Sequence, residues 1–232
     1  MHIVSTTPLS IDTLLWEPRP GERMLTVCVK VTFSLKNGEV AMLAPQQDVI
    51  HGDIPWDAAP GSSLYAPSDF VPTKPKVDIL LSGRVFAPLG KPVEQLVARV
   101  SVDEFSKSLL VRGNRQWILD NGALVPGPIQ PFAYVPIGYP ADTPDGGSAT
   151  KPVLGAALSH FEPVPGGPNV DSPPGFGAIS PNLRARRGEG GLATKRWADS
   201  LNAREYMAPP AAIDWSFFNS APRDQQIAAL GP

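Results

Sequence analysis

The sequence predicts an all-β protein: an antiparallel β-sandwich or barrel-like meander with long Pro- and Gly-rich loops and one or two short helices. Several segments alternate apolar and polar residues with a period of two, which is typical of strands that bury one face. Asn-Gly pairs at 37–38 and 121–122 follow such segments and favour hairpin turns. The 28 prolines and 21 glycines among 232 residues keep the elements short, because both residues interrupt regular structure.

The first predicted strand covers residues 24–33. Its odd positions from 25 to 33 are all apolar, whereas Thr26, Lys30 and Thr32 occupy even positions, and this alternation predicts a half-buried strand. Asn37-Gly38 then predicts a hairpin with a type I′ turn, because both residues tolerate the positive φ that this turn needs. Residues 44–76 contain six prolines and are predicted to form a loop.

The alternation resumes over residues 77–87 and 94–102. A hairpin over Asp103–Ser108 leads from the second of these strands to a further strand through Val111, and a last strand at Trp117 turns at 121–122. Four side chains of the 94–102 strand are expected to point inward: Leu96, Ala98, Val100 and Val102. Parallel strands would give unbroken apolar runs, so the alternation favours antiparallel pairing.

Prolines and glycines dominate from about residue 126, and regular elements are expected to be short there. Two short helices are predicted, one over Thr194–Leu201 and one after Ser220. In the second, Ser220 would cap the helix, Pro222 suits its first turn, and Asp224 lies near its positive end. The predicted organisation is a β-meander core over residues 1–125 and a loop-rich second half over 126–232, packed together as a single domain.

The charge balance argues against a nucleic-acid-binding protein. The formal net charge is −2, whereas such a protein needs a basic face to replace counterions. One basic run is interpreted as a solvated loop, since no aromatic residues interleave with it. Its members are Arg184, Arg186, Arg187, Lys195 and Arg196.

Cys28 is the single cysteine, so no intrachain disulfide can form, and its place in an alternating strand predicts a buried, inert thiol. The first ten residues have neither the basic start nor the apolar stretch of a signal peptide. No apolar run reaches the length of a membrane span. These features predict a cytoplasmic protein that does not bind a membrane.

No motif for catalysis, metal binding or cofactor binding stands out. The three histidines, His2, His51 and His160, do not have metal-ligand spacing, and the sequence contains no phosphate-binding or dinucleotide-binding glycine loop and no nucleophile elbow. We therefore expect no enzyme activity, no metal, no cofactor and no small-molecule substrate.

Some polar residues stand where a site could form. Asp69, Lys74 and Asp78 could make an ion-paired site at the entrance of a strand, but capping of a turn and pairing of neighbouring charges are the favoured interpretation. Arg115, between a Gly-Asn turn and Trp117, is likewise expected to stack or pair structurally. Arg84 and Asp224 complete this predicted set of structural polar residues.

The segment Asp214–Gln226 is the most distinctive part of the sequence. Three aromatic residues lie within four positions, and so apolar a cluster must dock onto its own domain or onto a partner. Aromatic residues also dominate binding hot spots. The candidate protein-binding residues are Trp197, Trp215, Phe217 and Phe218.

Several blocks, in their order and spacing, resemble a bacterial family, domain-of-unknown-function family 2169. The blocks are residues 25–33, 67–78, 83–88, 113–117 and 214–226, with further similarity at 174–179 and 191–197. This family is encoded beside VgrG spike, PAAR tip and effector genes of type VI secretion systems. Relatives continue beyond the position of Gln226, so the resemblance implies a shortened member whose open sheet edge could accept a partner strand.

The resemblance implies a non-enzymatic adaptor or chaperone that binds an effector and helps to load it onto the VgrG or PAAR-type spike. Two alternatives from other classes remain. A carbohydrate-binding module could use Trp117, Trp197 and Trp215 as a stacking platform. A hydrolase acting on a bacterial polymer could use Asp69 or Asp78 as one carboxylate.

Overall fold

The computed structural model describes residues 4, 6–55, 64–71, 74, 76–137, 152–167, 175–178, 196, 199 and 219–228. Within these ranges the chain consists mainly of strands, turns and loops, with 3₁₀ turns at Pro88–Gly90 and Arg223–Gln225, and the strands pair in antiparallel fashion. The predicted all-β class with antiparallel pairing is confirmed. No helix within the described ranges has both the length and the apolar character needed to cross a membrane.

The chain divides into two compact units, each assembled from segments that are distant in sequence. Unit 1 consists of Met1–Ile54, Ala66–Pro75 and Asn182–Phe218, and unit 2 consists of Pro55–Tyr65, Lys76–Pro181 and Asn219–Pro232. The boundary predicted near residue 125 falls inside unit 2. Strands β5 (Ile54–Pro55) and β6 (Leu64–Ala66) pair with each other.

Unit 1 is built on a long hairpin of β1 (Ser10–Arg19) and β2 (Glu22–Lys30), in which the pairing is regular from Ser10 to Trp16 and shifts before Arg19. Pro20 and Gly21 form its turn, and Gly21 has a φ of 84°, as the third position of a type II turn requires. Strand β1 was not predicted, because Leu14, Leu15 and Trp16 form a continuous apolar run that breaks the alternation.

The hairpin predicted at Asn37-Gly38 is present as β3 (Phe33–Ser34) and β4 (Met42–Leu43). Its turn differs from the prediction. Only Gly38 has a positive φ, 74°, and Glu39 N donates to Lys36 O over 3.2 Å, which makes this a type II turn and not a type I′ turn.

Unit 2 contains the remaining strands. They are β7 (Lys76–Asp78), β8 (Gly83–Phe86), β9 (Gln95–Val102), β10 (Phe105–Arg112), β11 (Trp117–Asp120), β12 (Ala123–Pro126), β13 (Tyr134–Ile137), β14 (Phe161–Pro163) and β15 (Gln226–Ala228). The strand predicted over 77–87 is therefore two strands. The hairpins β9–β10 and β11–β12 are confirmed, and the second turns at Asn121-Gly122 with φ values of 46° and 83°.

The core of unit 2 is one apolar cluster. Its buried members are Leu109, Val111, Phe132, Val135, Ile137, Phe161 and Phe176. Leu96, Ala98 and Val100 of β9 pack against this cluster, as predicted, whereas Val102 beside the turn is exposed and was wrongly assigned to the inside. Gly113 lies so close to Gln130 that a Cβ built on it would stand 1.8 Å from Gln130 O.

The short helix predicted after Ser220 is present only as one 3₁₀ turn, and the predicted Ser220 cap is wrong. Residues Arg223–Gln225 make a single 3₁₀ turn with no side-chain cap, and the chain then continues as β15, which pairs with β7. The Ser220 backbone N donates to Asp78 Oδ2 over 2.6 Å, so this segment is fixed by tertiary contacts instead of by helix capping. Of the helix predicted over Thr194–Leu201, Arg196 and Asp199 are described, and both are helical.

Candidate functional site

An exposed apolar surface lies on one side of the β1–β2 hairpin. Leu15 faces Leu25 across the two strands, and Val27 and Val29 follow on the same side of β2. These four residues, the hairpin face, are between 38% and 50% exposed. Since an aliphatic row of this kind is normally buried, the hairpin face is the first candidate for contact with another protein.

The opposite side of β2 explains why the apolar side is exposed. Thr26 accepts a hydrogen bond from Trp16 Nε1 over 3.0 Å, and Lys30 Nζ lies 2.9 Å from Asp69 Oδ2. The same Asp69 oxygen accepts from the Ile50 backbone N over 2.7 Å. The polar side of β2 thus faces the interior of its own unit and the aliphatic side faces solvent. This is the reverse of the usual arrangement of a half-buried strand.

Cys28 lies on this inner side, opposite Asp12 of β1, and its Sγ is 3.5 Å from Asp69 O. Burial raises the pKa of the Cys28 thiol above its ordinary value, and the charge of Asp69 raises it further, while Lys30 acts in the opposite direction. A thiol of this kind stays protonated near neutral pH, which agrees with the inert thiol predicted from the sequence.

His51 contributes a second polar contact in unit 1. Its Nε2 lies 3.4 Å from Asp12 Oδ2, and its ring lies 4.9 Å from the Phe70 ring centroid to centroid. Ser68 ties the same loop together, because its Oγ bonds to His51 O over 2.9 Å. These contacts give the segment around Asp69 a structural function.

Asp78 has different partners from Asp69. It is on the inner side of β7 and accepts from Asn219 Nδ2 over 3.0 Å and from the Ser220 backbone N over 2.6 Å. Its neighbour Val77, an apolar position of the alternating segment 77–87, is 46% exposed. Asp69 and Asp78 therefore each bind residues of their own unit, and Lys74 is partly buried in unit 1.

A buried ion pair lies where the C-terminal segment meets β10 in unit 2. Lys107 has no exposed surface, and its Nζ lies 2.9 Å from Asp224 Oδ2 and 3.0 Å from Gln225 Oε1. Gln225 Nε2 in turn donates to Ile79 O and Phe176 O, each over 2.9 Å. Desolvation lowers the pKa of Lys107, and the hydrogen bond and charge of Asp224 oppose this effect.

The two predicted arginines also have partners within the protein. Arg115 is buried and its Nη2 pairs with Glu162 Oε1 of β14, while Arg112 Nε lies 3.4 Å from the other carboxylate oxygen. Arg84 lies over the Tyr134 ring at 4.7 Å from its centroid. These contacts connect neighbouring strands at the edges of the core.

Several residues of these clusters were not singled out from the sequence, among them Lys30, Lys107, Glu162 and Gln225. For Lys107 a signal existed, because it occupies an inward position between Phe105 and Leu109 in an otherwise apolar row. A charged residue in such a row requires a buried partner. The partner itself, more than a hundred residues away, left no local signal.

The predicted aromatic binding residues Trp197, Trp215, Phe217 and Phe218 lie outside the described residues. Trp117 is partly buried in β11. Within the described ranges, no group of three or more His, Cys, Asp or Glu side chains is placed to hold a metal ion.

Comparison with curated proteins and with solved structures gives no match. The sequence model of one family does match, over residues 20–152 and 158–231. That family is described as an uncharacterized protein conserved in bacteria (DUF2169). The match includes the hairpin-face residues of β2, the polar cluster around Asp69 and the buried Lys107–Asp224 pair, whereas Leu15 of β1 precedes it. The chain therefore belongs to the DUF2169 family.

Proposed function

We propose that this protein is a non-enzymatic adaptor in the bacterial cytoplasm that binds a type VI secretion effector and helps to load it onto a VgrG or PAAR-type spike protein. The hairpin face is the observation that carries the proposal. Four aliphatic residues on paired strands are exposed together, while the polar side of the same strand is turned inward. Water is a poor environment for such a row, and a protein partner would cover it.

The polar clusters support a binding function over a chemical one. Asp69 and Asp78 bind residues of their own units, and the Cys28 thiol is held protonated by burial. These groups hold loops and strands in place. A folded β-scaffold that already presents an exposed apolar row is suited to recognition, because little ordering is needed when the partner binds.

The test is co-purification of the protein with the product of a neighbouring effector gene, followed by measurement of the dissociation constant. Val27→Thr/Val29→Thr keeps β-branched side chains and strand propensity but makes the hairpin face polar. We expect this variant to bind the effector at least tenfold more weakly. Val40→Thr/Val153→Thr is the matched control, since it alters two exposed valines outside the hairpin face.

If both double variants bind the effector with equal affinity, the hairpin face is not the binding surface. If the wild-type protein binds neither an effector nor a spike protein encoded beside it, the adaptor function is wrong.

A further inference from the structure

We propose that the free edge of β9 binds an extended segment of the partner protein by strand addition, an inference that rests on the adaptor function proposed above. The three-stranded sheet of unit 2 has the order β14–β10–β9. β10 is therefore paired on both sides, and β9 has a strand partner on one side only within the described part of the chain.

β9 has few of the features that usually protect a sheet edge. All eight of its residues pair with β10 in continuous register, without a bulge. The strand contains no proline and one charged side chain, Arg99. Natural edge strands are commonly shortened, bulged, or protected by prolines and several charges, because a regular open edge recruits other strands.

The hairpin register identifies the backbone groups on this edge. The β9–β10 turn has two residues, Asp103 and Glu104, so the pair Val102–Phe105 that closes it exchanges both hydrogen bonds. Pairs two residues apart repeat that pattern, and Gly113 N donates to Glu94 O at the far end of the same series. The N–H and C=O groups of Val97, Arg99 and Ser101 therefore point to the open edge.

The same edge already accepts a strand-like neighbour just before β9 begins. Val93 N donates to Phe132 O over 3.1 Å, and Phe132 N donates to Val93 O over 2.9 Å. That pairing is an isolated bridge and does not continue along β9. A partner strand would extend the pairing from the position where Phe132 leaves the edge.

The apolar core of unit 2 indicates the side chains of such a segment. The inward residues of β10 are buried, whereas the inward residues of β9, Leu96, Ala98 and Val100, are only partly buried although they contact the core. An added strand would place every second side chain beside this row. Those side chains should be apolar, because polar groups there would lose water without gaining a partner.

Arg99 favours a segment of a different protein over a second copy of this chain. Its side chain is exposed on the outer face of β9, and its Nε donates to Ser106 Oγ over 3.0 Å. Two β9 strands paired antiparallel near their centres would bring two Arg99 side chains opposite or diagonal to each other, which is unfavourable. A segment with an Asp or Glu facing Arg99 would be complementary. The expected ligand is thus an extended segment with alternating apolar residues and an acidic outer side.

Hydrogen exchange of the wild-type protein, alone and bound to the neighbouring effector, tests the proposal. We expect the amides of Val97, Arg99 and Ser101 to exchange at least tenfold more slowly in the complex. Val97→Pro removes one edge N–H without removing a bond to β10, and should weaken binding at least tenfold. Val97→Thr keeps that N–H and should bind within about twofold of wild type, as the matched control.

The outcomes separate the two proposals. If Val97→Pro binds with unchanged affinity and the wild-type complex shows no added protection along β9, strand addition is wrong. The adaptor function would then still stand. Slow exchange of these amides in the free protein, as a monomer or as a dimer, would also overturn strand addition, because the edge would already be paired. Failure of the wild-type protein to bind any neighbouring effector or spike protein would overturn the adaptor function itself. The exchange experiment uses no variant, so it decides the question even if Val97→Pro does not fold.

Discussion

Lys107 Nζ lies 2.9 Å from Asp224 Oδ2, and the lysine side chain is completely buried. The two residues come from a central strand of unit 2 and from the C-terminal segment that closes it. An ion pair in such a place holds the segment in one register, because any displacement leaves a buried charge without its partner. The pair therefore makes the position of residues 219–228 specific.

Asp224→Ala should lower the free energy of unfolding by about 3–5 kcal/mol, because it leaves Lys107 buried and uncompensated. Urea denaturation measures the change. Glu39→Ala is the matched control: Glu39 pairs with Lys36 at 3.7 Å on the surface, with 60% of its side chain exposed. Loss of the Glu39 carboxylate should change the free energy of unfolding by less than about 1 kcal/mol. Equal effects of the two substitutions would contradict the assigned importance of the buried pair.

The lowered pKa of Lys107 predicts an alkaline dependence of stability. In the folded state the lysine releases its proton at a lower pH than in the unfolded state, whose pKa is near the ordinary value of 10.5. Between these two pKa values the unfolded state binds more protons, so the free energy of unfolding should rise with pH. Cys28 has a raised pKa and contributes the opposite slope above pH 9.0.

The two contributions can be separated by comparing Cys28→Ser with Cys28→Ser/Lys107→Met. Urea denaturation between neutral pH and pH 10.5 measures the free energy of unfolding of both proteins. The rise with pH that Lys107 contributes should be present in Cys28→Ser and absent from Cys28→Ser/Lys107→Met. Parallel pH profiles of the two proteins would show that Lys107 does not titrate differently on folding.

Asp78→Ala should release the C-terminal segment. The carboxylate accepts from Asn219 Nδ2 and from the Ser220 backbone N, and both donors belong to buried residues. Loss of these bonds should destabilise the protein by roughly 2–4 kcal/mol. In this variant the amides of β15 should also exchange faster than in the wild-type protein, and this increase should be larger than that for the amides of β10. Asp48→Ala, at an exposed position, should change neither quantity appreciably.

Gly113→Ala should be strongly destabilising, since the new Cβ would stand 1.8 Å from Gln130 O and the backbone would have to move. We expect a loss of at least about 2 kcal/mol in thermal or urea unfolding. Gly83 offers a matched control in a strand of the same unit, because no atom lies within 4 Å of a Cβ built there. Gly83→Ala should be neutral or stabilise by about 0.4–1 kcal/mol.

Local sequence patterns were sufficient for part of the fold. Alternation and the Asn121-Gly122 turn located the hairpins β9–β10 and β11–β12, because each depends on residues close together in the chain. The same pattern did not reveal that β2 turns its polar side inward. That polarity depends on Asp69, which is 39 residues from Lys30.

The candidate sites depended even more on distant partners. Gln225 contacts Lys107 across 118 residues, and a single sequence contains no sign of that pairing. The segment after Ser220 has the residues of a helix start, but its bonds to Asp78 and the pairing of β15 with β7 outweigh the local preference. The hairpin face was missed because exposure of an aliphatic row depends on the surrounding structure.

The hydrogen bond between Asn219 and Asp78 also has a consequence for synthesis of the protein. The two residues are 141 positions apart, so β7 leaves the ribosome long before the segment that completes its pairing. At about 5–20 residues per second, this interval lasts on the order of ten seconds. Throughout that time the nascent unit 2 has an unpaired β7 and a lysine without its counter-charge. The final assembly step of unit 2 therefore waits for this late segment, and termination of translation before it would leave an incomplete unit open to chaperones and proteases.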